Sequence, residues 1–127
     1  MIKGVESLIL FSEDAKRLAD FYQEKVGLTL TMEAEIGGKG EELYCFEMSE
    51  GTPLYVIDHS RVKGRNKEPE RIIFNLEVDV IEDMVKRLDN LGVKKVQDTY
   101  HVEGYGLIAT FEDVDGNYFQ LVQTRES

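Results

Sequence analysis

Three pairs of residues recur at one and the same sequence spacing: Asp14 with Asp79, Gly27 with Gly92, and Gly51 with Gly116. In a chain of 127 residues, that recurrence implies two copies of one supersecondary unit. Two short units that each leave a sheet face uncovered are more stable when they share an interior. The length supports one sizeable core and not two independent ones.

Each half reads in the same order. Residues 4–11 alternate, with Leu8 and Leu10 on one face and Ser7, Ile9 and Phe11 on the other, which predicts a strand. Ser12 and Asp14 can each cap free amides, and Ala15, Leu18, Ala19, Tyr22 and Val26 then recur at helical spacing until Gly27. One amphipathic helix of about three and a half turns is expected there. Strands follow at 28–35, 42–48 and 54–58, separated by glycine-rich and Pro-containing turns.

The second half predicts a strand at 72–78 and a helix opened by Asp79 and Glu82 as a capping-box-like pair. Its buried stripe is Ile81, Met84, Val85, Leu88 and Leu91, and Gly92 closes it. Strands at 94–97, 107–112 and 118–123 complete the unit. The expected fold is α+β: two βαβββ repeats forming a curved mixed sheet around a cleft, with helices outside. The chain reads as a single domain over 1–127, with repeat one at 1–58, a linker at 59–71 and repeat two at 72–127.

Charge narrows the function classes. A formal net charge of -10 opposes binding to nucleic acid or to an anionic membrane surface, because both require a dominating basic field. No apolar run approaches the roughly 18 residues of a membrane span. The opening MIKGVESLILFSED has no basic region leading into an apolar run and cleavage site, so a cytoplasmic location is expected. The single Cys45, set in LYCF, reads as a buried structural thiol in a reducing compartment. The stretch 58–71 holds Arg61, Lys63, Arg65, Lys67 and Arg71 and reads as a solvated linker, with a lid or anion-steering arm as the alternative.

The segment DAKRLADFYQEKVGL at 14–28 resembles the first helix of the vicinal oxygen chelate superfamily, with its D…FY…LGL pattern. FEDVDGNYFQL at 111–121 resembles that superfamily's closing F-x-DPDGN-x-x-E-L motif, with Val114 in place of proline. The superfamily includes glyoxalase I, extradiol dioxygenases, fosfomycin-resistance enzymes and bleomycin-binding resistance proteins, so the fold alone does not name a chemistry.

In its catalytic members a divalent metal is held by side chains of the first and last strands of each unit. The matching positions here are Ser7, Tyr55, Ile73 and Gln120, where the family usually has His or Gln, Glu, His and Glu. A divalent ion needs imidazole or carboxylate donors; Ile73 offers none, Ser7 and neutral Tyr55 are poor ligands, and only Gln120 keeps a family-like donor. The resemblance therefore implies no metal, no other cofactor and no metal-dependent catalysis.

What remains is the cleft. Alternation lines it with Ser7, Ile9 and Phe11; Tyr55, Ile57 and His59; Ile73, Asn75 and Glu77; and Tyr118, Gln120 and Val122, so that Tyr55 and Gln120 face one cavity. Tyr55 and Tyr118 read either as core filling or as ligand contacts, Asn75 and Glu77 either as exposed strand-end residues or as cleft polar groups, and a buried Glu77 as a general base. His59 and His101 read as exposed imidazoles, with a displaced metal site using both as the alternative. The first functional reading is a homodimeric small-molecule-binding protein of bleomycin-resistance-like type, which takes an aromatic or heterocyclic compound without turnover. The alternatives are a metal-dependent glyoxalase-type lyase or dioxygenase, and a dimer scaffold without ligand.

Overall fold

The computed structural model describes residues 1–38 and 40–124, which divide into two compact units, Met1–Gly64 and the chain from Arg65 onward. In the first unit, strand β1 (Leu8–Ser12) leads into helix α1 (Ala15–Asp20), which continues as a π-helical turn over Phe21–Val26. Strands β2 (Leu30–Ile36), β3 (Glu41–Phe46) and β4 (Leu54–Asp58) follow. They form a four-stranded sheet in the order β1-β4-β3-β2, with β1 parallel to β4 and the other pairs antiparallel.

In the second unit, β5 (Phe74–Glu77), helix α2 (Ile81–Asn90), β6 (Lys95–Val102), β7 (Gly106–Glu112) and β8 (Tyr118–Thr124) give the order β5-β8-β7-β6 with the same pattern of directions. The class is α+β with two βαβββ repeats, and hydrogen bonding resolves two mixed sheets, one per unit. Among the described residues, no helix is long and apolar enough to cross a membrane.

Each helix covers one face of its own sheet. Ala15, Leu18, Ala19, Tyr22 and Val26 are buried, as are Leu54, Val56, Tyr44 and Phe46 on the face that α1 covers. In the second unit, α2 packs its buried Ile81 and Leu88 on β7 and β8, over Ala109, Phe111, Phe119 and Leu121. Phe74, Phe119 and Phe111 stack side by side across three strands, with centroids 6.2 Å and 6.1 Å apart.

A last-strand side chain anchors each helix start. Asp58 Oδ1 accepts from the Ala15 amide at 2.7 Å while its Oδ2 accepts from the Glu42 amide at 2.8 Å. Gln123, its counterpart in the second repeat, accepts through Oε1 from the Ile81 amide at 2.9 Å. Helix N-termini leave amides without intrahelical partners, so both anchors satisfy groups that would otherwise be orphaned.

Several sequence expectations are corrected. The first helix is not α-helical throughout: the Gly27 amide reaches back to the Tyr22 carbonyl, an i→i+5 bond, and Gly27 ends the helix at φ 88°. That wider turn carries Phe21, Tyr22 and Val26, and all three are buried. Asp14 does cap α1, accepting from the Arg17 amide, while Ser12 Oγ accepts from the Asp14 amide. The Asp79–Glu82 capping box does not form, because α2 starts one residue later with Val80 at its cap and Gln123 takes the first amide. β5 begins at Phe74, leaving Ile72 and Ile73 outside it, and β6 runs on past the expected Gln97 to Val102.

Candidate functional site

The sheet faces turned away from the helices carry the residues expected to line a cleft. In the first unit, register places Ile9 beside Tyr55, Tyr55 beside Cys45 and Cys45 beside Met32, a row that crosses all four strands. The next row is Phe11, Ile57, Leu43 and Ala34. Paired residues on neighbouring strands share a face, so both rows lie opposite α1. Ile9 and Phe11 are each 43% exposed, although both are large and apolar. Ser7 is half-buried one residue before β1.

In the second unit, the corresponding row is Asn75, Gln120, Thr110 and Gln97, and the next is Glu77, Val122, Ile108 and Tyr100. Tyr55 with Gln120, Cys45 with Thr110, and Met32 with Gln97 repeat the spacing that separates Asp14 from Asp79. Equivalent positions are therefore apolar or phenolic in one unit and carboxamide or hydroxyl in the other. Tyr118 pairs with Glu112 on the same face as Gln120, half-buried, and Ile73 sits just before β5, 37% exposed.

Alternation identified Ile9, Phe11, Tyr55, Ile57, Asn75, Glu77, Tyr118, Gln120 and Val122, and the structure gathers these by unit. It did not identify Met32, Leu43, Cys45, Gln97, Ile108, Thr110 or Tyr100. The repeat spacing, carried onto the middle strands, would have found Cys45 with Thr110 and Met32 with Gln97.

The donor chemistry of the four family metal positions does not fit a divalent ion. Ile73 has no donor, Gln120 offers a neutral amide oxygen where the family has a carboxylate, and the Tyr55 phenol is hydrogen-bonded to Cys45. That bond, with the electrostatic effect of the same side chain, raises the Tyr55 phenol above the usual tyrosine range, so a phenolate ligand is disfavoured. Tyr44, on the helix face, donates to Glu42; burial first, then that carboxylate, holds its phenol well above the usual range.

Each unit holds one histidine, His59 in the first and His101 in the second. His59 meets the Phe11 ring edge-on at 5.0 Å, and its Nδ1 accepts from the Arg61 amide at 3.1 Å. His101 is exposed on β6 beside Leu107. Among the described residues, no group of three or more His, Cys, Asp or Glu side chains could hold a metal ion.

The motif at 111–121 builds a turn. Asp113, 3% exposed, accepts through Oδ1 from the Asp115 amide at 2.8 Å and the Asn117 amide at 3.0 Å, and through Oδ2 from Asn117 Nδ2 at 3.0 Å. Part of the basic linker is fastened to this turn. Arg65 Nη2 meets Glu112 at 2.6 Å and Nη1 donates to the Val114 carbonyl at 3.3 Å. The Asn66 amide donates to the Asp115 carbonyl at 2.8 Å, and Asn66 Nδ2 to Asn117 Oδ1 at 3.0 Å. The linker surface is exposed, yet Arg65 and Asn66 are structural parts of the second unit, which the charge-rich sequence did not suggest.

A relative in Bacillus subtilis (strain 168), "Uncharacterized protein YetH", is 27% identical over 121 residues, covering 95% of this chain and 98% of the relative. Among solved structures, TnmS3, an antibiotic binding protein from Streptomyces sp. CB03234, gives a TM-score of 0.77 at 24% identity, covering 98% of each chain. The genomically encoded fosfomycin resistance protein FosX from Listeria monocytogenes gives 0.72 at 19% identity, covering 98% of this chain and 94% of that one. At these identities the structural likenesses carry the fold and leave the chemistry to the residues. Residues 4–121 match the family model of the Glyoxalase/Bleomycin resistance protein/Dioxygenase superfamily, and the chain belongs to that superfamily.

Proposed function

We propose that this protein binds an aromatic or heterocyclic small molecule in the manner of bleomycin-resistance proteins, without a metal and without turnover, as a homodimer in the cytoplasm. The observation that carries the reading is the row Ile9, Tyr55, Cys45 and Met32 on the open face of the first sheet, an apolar surface with one phenol. In that row Ile9 and Met32 are exposed, Tyr55 is half-buried and Cys45 is buried; exposed apolar side chains on one face are what a flat aromatic ring packs against, and the tyrosine between them adds ring-to-ring contact. The antibiotic-binding function of TnmS3 on the same fold supports a binding role.

A thermal-shift screen with planar aromatic compounds, followed by calorimetry, tests it. Tyr55→Ala is expected to weaken a bound aromatic by about 1 kcal/mol or more through lost ring contact. The exposed control Lys16→Ala should bind like the parent. Equal affinity in all three proteins would remove the open face of the first sheet from the site.

Purified without chelator, the protein is expected to carry no stoichiometric divalent metal, because Ser7, Tyr55, Ile73 and Gln120 make a poor donor set. Elemental analysis finding about one Zn, Ni, Fe or Mn per chain would contradict this.

The homodimer is supported by the uncovered edges of two small sheets, since β2 and β6 each pair on one side only and are exposed along most of their length. Light scattering at micromolar concentration should give twice the chain mass, and a strictly monomeric mass would overturn this part.

A further inference from the structure

The open face of the second sheet differs from its counterpart in one systematic way: where the first unit has Ile9, Tyr55, Cys45 and Met32, the second has Asn75, Gln120, Thr110 and Gln97. The Thr110 hydroxyl is buried, but the three carboxamides beside it in the row, Asn75 and Gln97 exposed and Gln120 half-buried, carry polar ends that must be satisfied by water or by a ligand.

The bonds within the row fix which ends are left over. Gln120 Nε2 donates to Thr110 Oγ1 at 3.0 Å, Gln97 Nε2 to the Asp98 carbonyl at 3.4 Å, and Asn75 Nδ2 approaches the Tyr105 hydroxyl at 3.5 Å. Each carboxamide thus turns its nitrogen to the protein. Among the described residues, no donor reaches the side-chain oxygens of Asn75, Gln120 or Gln97. One register step along, the exposed Glu77 has one oxygen held by Thr124 at 2.7 Å, and no described donor reaches the other.

Neither of these two rows contains a lysine or arginine. The carboxylate therefore has no counter-charge within the rows, and the chain's net charge of -10 adds to the same sign. Beside Glu77 the row continues through the buried Val122 and Ile108 to Tyr100, an aromatic ring that is 42% exposed. Acceptors, one negative charge and an exposed aromatic ring together complement a flat ring that bears N–H donors and positive charge.

We infer that the Asn75–Gln120–Thr110–Gln97 row, with Glu77 beside it, is the subsite for a planar cationic nitrogen group, an amidine, guanidine or protonated aminoheterocycle, on a small-molecule ligand. The inference rests on the small-molecule-binding reading and adds the chemical class of the ligand's polar edge. Gln120 and Asn75 orient the N–H edge, Glu77 supplies the charge contact, and Tyr100 receives the ring.

Calorimetry on the full chain with benzamidine, benzamide and benzoate tests this, because the three share one ring and differ in charge and donors. Benzamidine is expected to bind at least about tenfold more tightly than benzoate. Glu77→Gln should lower benzamidine affinity about tenfold, the worth of one charge-assisted hydrogen bond, and leave benzamide nearly unchanged. Gln120→Leu should weaken both benzamidine and benzamide about fivefold. The melting temperature of Glu77→Gln checks that the fold is intact. Benzoate binding as well as benzamidine, absent benzamidine binding, or unchanged affinity in both variants would overturn the inference. If neutral aromatics still bind and Tyr55→Ala weakens them, the binding reading survives that failure; if no aromatic of any charge binds, both fall.

Discussion

Asp113→Ala is expected to lower the free energy of unfolding by about 3 kcal/mol or more, a large part of the usual stability of roughly 5–15 kcal/mol for a domain. The carboxylate is buried and accepts from the Asp115 amide, the Asn117 amide and Asn117 Nδ2. Alanine removes every acceptor at once and leaves those donors in a place where water reaches poorly, so the loss is the cost of orphaned groups and exceeds that of one bond. Asp113→Asn should lose less, because its remaining carbonyl oxygen can still take the two backbone amides that Oδ1 now holds.

The same substitution should loosen the linker, since Asn66 is held by Asp115 and Asn117 on that turn. Urea unfolding measures the first effect, and the rate of tryptic cleavage at Arg61, Lys63, Arg65 or Lys67 measures the second. A stability for Asp113→Ala indistinguishable from that of the parent would show that the turn is not held by Asp113.

The order of elements was legible because it rests on periodicity and on recurrence. The repeat spacing marks equivalent points in real strands: β3 begins at Glu41 and β7 at Gly106, and Tyr55 on β4 matches Gln120 on β8. Where hydrophobic alternation is clear, as over Leu54–Asp58, the predicted strand and the observed one coincide. β6 was cut short for a physical reason. Thr99, Tyr100 and His101 belong to an edge strand exposed on both faces, so no alternation of burial is written into the sequence.

Other features depend on partners distant in sequence. Nothing at Asp79 announces that Gln123 will take the helix amide instead of a local cap, and nothing in the run Arg61–Arg71 sets Arg65 apart from its basic neighbours. Arg65 is selected by the turn it meets, lying against Gly116, where an added Cβ would stand 3.2 Å from its guanidinium. The candidate faces were legible in half: the residues of the first and last strands came from alternation around the family positions, while the middle-strand residues that complete each row are joined to them by the pairing register.

Asp58→Ala is expected to cost about 3 kcal/mol of stability, and Gln123→Ala clearly less, about 1 kcal/mol, although the two residues occupy equivalent positions. Asp58 uses both oxygens, one on the Ala15 amide at the start of α1 and one on the Glu42 amide at the start of β3, so it ties the helix and two strands at one corner. Both bonds are to an ionisable carboxylate, which strengthens them and places negative charge where the helix dipole favours it. Gln123 has a neutral oxygen and one such bond, to Ile81. Asp58→Asn should fall between them, keeping one acceptor and replacing the other with a donor that faces an amide. Loss of the corner also reaches the candidate site, because Ile57 and Tyr55 precede Asp58 on β4 and their side chains are aimed by the register that it helps fix. Asp58→Ala should therefore weaken aromatic binding as well as stability, while Gln123→Ala leaves binding on the Tyr55 face intact. Urea unfolding and calorimetry on the three variants measure both quantities; equal losses for Asp58→Ala and Gln123→Ala would show that the second bond and the charge of Asp58 contribute nothing to the fold.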